Sequence, residues 1–154
     1  MAIKRISFSD IDLKKLDVII DVRSPSEYEV DHIPGAINLP VLYDKERERI
    51  GFIYKQNSKF EAKKLGAAFI SKNISNYLKD TIRENNRDWL PLIYCWRGGQ
   101  RSYAFATILD QIGWNVGVVD GGYKSFRKHV REFLNKKLEK YFLILLTGNT
   151  GTAK

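Results

Sequence analysis

The sequence has 154 residues, enough for one domain with a sizeable core, and its 44% hydrophobic and 29% charged content is that of an ordinary globular protein. A single cysteine excludes an internal disulfide or a dithiol relay within the chain, and two histidines leave nothing for a zinc site, so no metal is expected. The formal charge of +8 suits a polyanionic partner.

The opening Met1-Ala2-Ile3-Lys4-Arg5 lacks the apolar stretch of a signal peptide. No apolar run approaches the roughly 20 residues of a membrane span, so the expected compartment is the cytoplasm, with no membrane partner. Ser9 or Asp10 is placed to cap a short helix predicted through Leu16. Val18 to Val22 reads as a buried strand, too apolar for a solvated edge. In the loop that follows, Ser24, Pro25 and Glu27 have the spacing of a capping box with proline at the first helical position. His32 to Pro40 reads as a turn and a short strand, with His32 a donor that steadies the turn.

Between Pro40 and Pro91 the character changes, and a helical insertion is expected over about 44–88. Asp44 to Arg49 is almost wholly charged and Gly51 to Asn57 shows no clean period, whereas from Lys59 a stripe of Ala67, Ile70, Ile74, Leu78 and Ile82 marks a helix. The stripe reads as core packing. The charges Arg47, Arg49, Lys55, Lys63 and Lys64 read as a solvated face, with nucleic acid as the alternative.

Leu92-Ile93-Tyr94 is the end of a further buried strand, and Cys95 follows it directly. Gly98 and Gly99 permit a tight loop in which positive φ is cheap. After Arg101 a helical pattern begins, with Phe105, Ile108, Leu109 and Ile112. A loop of this kind gathers backbone N–H groups into an anion-binding nest, and the helix dipole with Arg97 and Arg101 favours a thiolate on a partly exposed Cys95. The bland reading of Cys95 is a buried small hydrophobe. Two glycines and two arginines within six residues favour a nucleophile that handles an anionic group. Asp21 and Arg23, at the end of the neighbouring strand, are expected to brace this loop.

Gly113 ends the helix, Val116 to Val119 is another strand, and Tyr123 to Lys140 a strongly basic helix. Phe126, Val130, Phe133 and Leu134 form its apolar side; Lys124, Arg127, Lys128, Arg131, Lys136, Lys137 and Lys140 carry its charge. Strands alternating with helices argue for an α/β layer fold with a mainly parallel sheet, whose ligands bind beyond the carboxyl ends of the strands. Phe142 to Thr147 then reads as the first strand of a following unit (141–154), and Gly148, Gly151 and Lys154 resemble a phosphate-binding P-loop cut short. Ala153 stands where that pattern has its second glycine, and the sequence stops at the lysine. The chain by itself is therefore not expected to bind and hydrolyse a nucleotide; it reads as the front of a longer protein or one half of a split one.

Asp21 to Tyr28 with His32 to Asn38 resembles the opening signature of rhodanese domains, and Val119-Asp120-Gly121-Gly122-Tyr123 their closing one. Tyr54-Lys55-Gln56, Phe60 to Gly66, the Tyr94 to Ser102 stretch and the trailing P-loop are similar to the tRNA 2-selenouridine synthase family. The resemblance implies a rhodanese-like three-layer α/β fold over 1–140. It also implies replacement of sulfur by selenium at the wobble 2-thiouridine of tRNA, with selenophosphate and geranyl diphosphate as co-substrates and no permanently bound cofactor. Cys95 falls on the family's essential cysteine. Trp96, Arg97, Gly98, Gly99, Gln100, Arg101 and Ser102 would hold the anionic substrate. Implied partners are tRNA, a selenophosphate-producing enzyme, and a P-loop domain in cis or in trans. The spacing from Cys95 to Arg101 also fits a cysteine phosphatase, and a persulfide-carrying sulfurtransferase is the third reading.

Overall fold

The computed structural model describes residues 3–12, 15–56, 58–138 and 147. The apolar runs form strands β2 (Val18–Asp21), β3 (Ala36–Asn38), β4 (Pro91–Tyr94) and β5 (Gly117–Val119), joined by β1 (Lys4–Ile6). All pairings are parallel, in the order β1-β5-β4-β2-β3. Helices α1 (Pro25–Val30), α2 (Asp44–Gln56), α3 (Lys59–Lys79), α4 (Gln100–Ile112) and α5 (Gly122–Leu138) complete the fold. No described helix is long and apolar enough to cross a membrane.

Residue alternation along the strands makes three layers. Ile20, Val22, Ile93, Cys95 and Val118 point to one face, where Ile74 and Tyr77 of α3 and Phe105 and Leu109 of α4 cover them. Ile19, Leu92, Tyr94 and Val119 point to the other, against Ile33, Tyr28, Tyr123 and Phe126. Each fully buried Ile or Leu of these layers contributes about 1.5–3 kcal/mol of transfer free energy.

The chain winds from β2 outward to β3, then crosses back to β4 on the far side of β2. The winding direction therefore reverses between β2 and β4, which opens a crevice beyond their carboxyl ends. Asp21 and Arg23 leave β2 there, and Cys95 leaves β4.

Three segments differ from expectation. Among the described residues, the predicted helix through Leu16 is a 3₁₀ turn, Phe8–Asp10, with Ser7 before it and Ile11 extended, and a further turn at Lys15, whose N–H donates to the Asp12 carbonyl at 3.1 Å. Phe8, Ile11 and Leu16 pack into the smaller core cluster, Phe8 edge-on to Phe126 at 4.8 Å, so the segment follows the groove beside α5. Strand β1 was not foreseen: its Lys4-Arg5 pair is exposed, and only the register with β5 defines it. Helix α2 runs through the stretch that lacks a period. It buries no residue of its own, but Ile50 packs at Gly66 of α3 and Glu46 takes a 2.8 Å hydrogen bond from Asn73. In α3, Ile74 is buried as the stripe requires, whereas Ala67 is exposed and Ile82 lies beyond the helix end. The strand expected over Phe142 to Thr147 (Thr147 apart) and the P-loop residues Gly148, Gly151 and Lys154 lie outside the described residues.

Candidate active site

Helix α1 begins as its sequence dictates. Pro25 occupies the first turn, and the Glu27 carboxylate accepts the Ser24 backbone N–H at 3.1 Å. His32 behaves as read: its Nδ1 lies 2.9 Å from the Tyr28 carbonyl and its ring stacks on that tyrosine. At the end of α4, Gly113 takes φ +112° and closes the helix.

Cys95 continues the alternation of β4 and turns its thiol toward the start of α4. It is 3% exposed, deeper than the partly exposed position expected, because Phe105 and Ala106 pack over the same face. The Gly99 N–H donates to Sγ at 3.2 Å, and the Ser102 hydroxyl lies at 3.2 Å. Burial pushes the thiol pKa up, but the Ser102 hydroxyl and the backbone N–H groups of Ser102, Gly99 and Arg97 outweigh it, so the pKa is lowered. The backbone N–H groups of the loop are directed at the sulfur itself. Ser102 has one hydroxyl proton and two acceptors, Sγ and the Gly99 carbonyl at 3.0 Å. A protonated thiol can donate to the Ser102 oxygen; a thiolate needs the hydroxyl to turn toward sulfur.

Arg101 does not face the thiol as its spacing suggested. Arg101 turns away from the loop to Glu27, at 2.7 Å, and Arg47 reaches the same carboxylate at 2.9 Å. Burial raises the Glu27 pKa, yet Arg101, the Ser24 N–H and Arg47 outweigh it and hold the carboxyl below its ordinary value. Arg97 is exposed on the loop, as is Gln100 on the first turn of α4. Of the two loop glycines, Gly98 has φ +62°, whereas Gly99 has φ −104° and open space where a Cβ would stand.

Asp21 and Arg23 are fully buried and paired at 2.6 Å. The guanidinium also donates to the Asp31 carbonyl at 2.7 Å. It lies over the Tyr123 ring at 4.1 Å and beneath Trp96 at 6.0 Å, so the pair supports the loop through its aromatic neighbours.

Sequence reasoning missed the partner of the loop, the turn into α5. The Tyr123 N–H donates to the Cys95 carbonyl at 2.9 Å and the Lys124 N–H to the Trp96 carbonyl at 3.1 Å. A Cβ on Gly122 would stand 2.2 Å from the Cys95 carbonyl oxygen, and one on Gly98 2.6 Å from that of Val119. The consecutive Gly121-Gly122 pair was the available signal. Tyr123 also donates its hydroxyl to Asp31, and burial with that carboxylate pushes its pKa up to about 12.

Three hollows border the loop and the start of α4, one of about 330 Å³ lying between Trp96, Arg23, Glu27 and Tyr123. A second, of about 510 Å³, lies between Trp96 and the basic side of α5. The third is an apolar groove of about 630 Å³ between the insertion and α4, walled by Leu42, Ile50, Ile70, Ile74 and Ile108, with Arg101 in its lining. Among the charges of the insertion, Arg47 is engaged by Glu27 and Ser24 and Lys64 by Glu61.

A chain with this loop has many known counterparts. It is 34% identical over 140 residues to the tRNA 2-selenouridine synthase of Shewanella denitrificans, covering 88% of this chain and 37% of the relative. It is 36% identical over 141 residues to that of Sulfurovum sp. NBC37-1, covering 88% and 38%. The chain thus spans under two fifths of the length of these relatives and is homologous to their N-terminal part. Among solved structures it superposes on the N-terminal domain of a Clostridium difficile 630 protein whose name proposes ATP/GTP binding. That match has TM-score 0.70 and 36% identity, over 82% of this chain and 98% of that one. A rhodanese-related protein from Thermoplasma volcanium, at TM-score 0.53 and 22% identity over 82% and 92%, shares the fold. The family model for the rhodanese-like domain matches residues 9–129, and the chain belongs to that family.

Proposed function

We propose that this chain is the catalytic-cysteine domain of a selenotransferase that replaces sulfur by selenium at the wobble 2-thiouridine of tRNA. The observation that carries the reading is Cys95, the only cysteine, held at the crevice with a lowered pKa, in a chain whose relatives bear that activity in their names. The Cys95 thiolate adds to C2 of a base whose sulfur carries a geranyl group and expels that sulfur as the thiol. The selenium of selenophosphate displaces Cys95 in turn, and water then cleaves the selenium–phosphorus bond to release phosphate. No oxidant or reductant is needed at any step.

Arg97, exposed at the loop, is available to the departing phosphate, with the loop backbone beside it. The apolar groove between the insertion and α4 supports a geranyl chain there, since aliphatic walls exclude water from the chain. The basic face of α5 would meet tRNA phosphates, which position rather than specify. The remaining machinery would belong to a P-loop domain in cis or in trans, of which 141–154, with Gly148, Gly151 and Lys154, would be the start. A cytoplasmic setting and a selenophosphate-producing enzyme as supplier complete the proposal.

A phosphatase is the poorer reading because Arg101, which such an enzyme would aim into the loop, is bonded to Glu27. The test is nucleoside analysis of tRNA from selenium-fed cells in which the full reading frame of this chain is the sole source of the activity. We expect 2-selenouridine, and none with Cys95→Ala. Wild-type levels in that variant would remove the assignment; thiosulfate-to-cyanide transfer without selenation would point to a sulfurtransferase.

A further inference from the structure

Trp96 belongs to the reactive loop, but its side chain has no part in holding the thiol. It is 37% exposed, yet it is not loosely held. Its carbonyl accepts the Lys124 N–H at 3.1 Å, its ring packs 5.6 Å from that of Tyr123, and the buried Arg23 guanidinium lies 6.0 Å from the ring. Arg23 in turn is fixed by Asp21 and the Asp31 carbonyl. An exposed indole supported this firmly is a preorganised flat surface that loses little side-chain entropy when something stacks on it.

What lies beside it defines the guest. The hollow of about 510 Å³ next to Trp96 is lined by Lys124, Arg127, Lys128, Arg131 and Asn135. Glu132 also borders it, with Lys128 3.7 Å away. The cations recur along α5 at helical spacing, so they form a ridge that leads from the hollow away from the loop. A flat apolar platform at the end of a cationic track is the arrangement that binds a nucleic acid strand with one base splayed out. The base stacks on the ring and the flanking phosphates follow the cations. An acidic peptide would use the track and leave the indole idle.

We infer that the Trp96 side chain is the stacking platform for an unpaired nucleobase of an RNA loop, with Lys124, Arg127 and Lys128 taking the adjoining phosphates. The inference rests on the reading that the partner is RNA, and it adds the residue on which a base of that RNA stacks. Trp96 is thereby a binding residue, chosen for its flat face, and its neighbours on α5 supply the salt-sensitive part of the affinity.

The probe is a synthetic RNA stem-loop with a uridine-containing loop, compared with the same stem closed as a blunt duplex, both titrated onto the chain over a range of salt. The wild type is expected to prefer the stem-loop. Trp96→Ala should weaken stem-loop binding roughly 5- to 150-fold, the range that one stacked base supplies, and leave duplex binding and the salt slope unchanged. Trp96→Phe should recover much of the loss. Arg127→Gln and Lys128→Gln should each lower the salt slope by about 0.7–0.9. Thermal melts of each variant check that the fold is kept. Equal stem-loop affinity for wild type and Trp96→Ala, with weakened binding in the α5 variants, would overturn the stacking platform and leave the RNA partner standing. Absence of RNA binding by the wild type would overturn both.

Discussion

The thiol of Cys95 is governed by donors within one loop rather than by distant charge. Burial at 3% exposure opposes ionisation, and the Ser102 hydroxyl with the Arg97, Gly99 and Ser102 N–H groups reverses the balance. Alkylation by iodoacetamide should therefore inflect below the ordinary thiol value of about 8.5. Ser102→Ala removes the hydroxyl and leaves the backbone donors. A hydrogen bond to a charged group contributes about 1.5–3 kcal/mol, so the inflection should rise by about 1–2 pH units in that variant. Arg101→Gln should leave it nearly unmoved, because Glu27 already holds that guanidinium. An inflection that follows Arg101 and ignores Ser102 would reverse this account of the site.

At the scale of elements, the reactive loop and the β5–α5 turn form one interlocked unit, with the first N–H groups of α5 given to the Cys95 and Trp96 carbonyls. Gly122→Ala places a Cβ against backbone on a residue with φ +59°, and relief requires the loop to move. It should cost about 3 kcal/mol or more in a urea titration, the range of special-backbone and overpacking effects. Gly99→Ala, with negative φ and open space, should stay within about 1 kcal/mol. Equal costs at the two positions would mean that the turn does not lock the loop. Elements with a local cause were legible in the sequence: the Ser24-Pro25-Glu27 start of α1, the Gly113 stop of α4, the buried strands and the Cys95 loop. Elements made by a partner distant in the chain were not. Strand β1 is an exposed Lys-Arg pair defined by β5, α2 is held by α3, and the heading of Arg101 depends on a carboxylate 74 residues away. Spacing placed Arg101 near the thiol and was silent on which way it points.

Across the whole molecule, that carboxylate joins layers which the sheet keeps apart. Glu27 rises from α1, whose Tyr28 packs on one face, and binds Arg101 of α4, which covers the other, together with Arg47 of α2. The clasp spans the carboxyl edge of the sheet beside Cys95, and the Glu27 and Arg101 side chains are only 19% and 20% exposed. The Glu27 pKa is lowered in the folded state, chiefly by Arg101 against the opposing effect of burial. The unfolded chain therefore binds a proton that the folded chain does not, once the pH falls to about 4.3, the ordinary glutamate value. The clasp contributes in full above that pH and is lost as the pH falls through the lower folded value. Asp44, also lowered through its bonds to Ser26 and Ser24, adds to acid sensitivity in the same direction, so the wild-type curve alone does not isolate Glu27. Glu27→Gln does, since it keeps an oxygen for the Ser24 N–H and removes the charge. Near neutral pH this variant should be less stable by about 1–2 kcal/mol, between an exposed pair and a charge-assisted hydrogen bond. The deficit should shrink between about pH 5 and pH 3 as the wild type protonates. Urea midpoints taken across that interval measure it, and a gap that stays constant down to pH 3 would show that the charge on Glu27 does not hold the layers together.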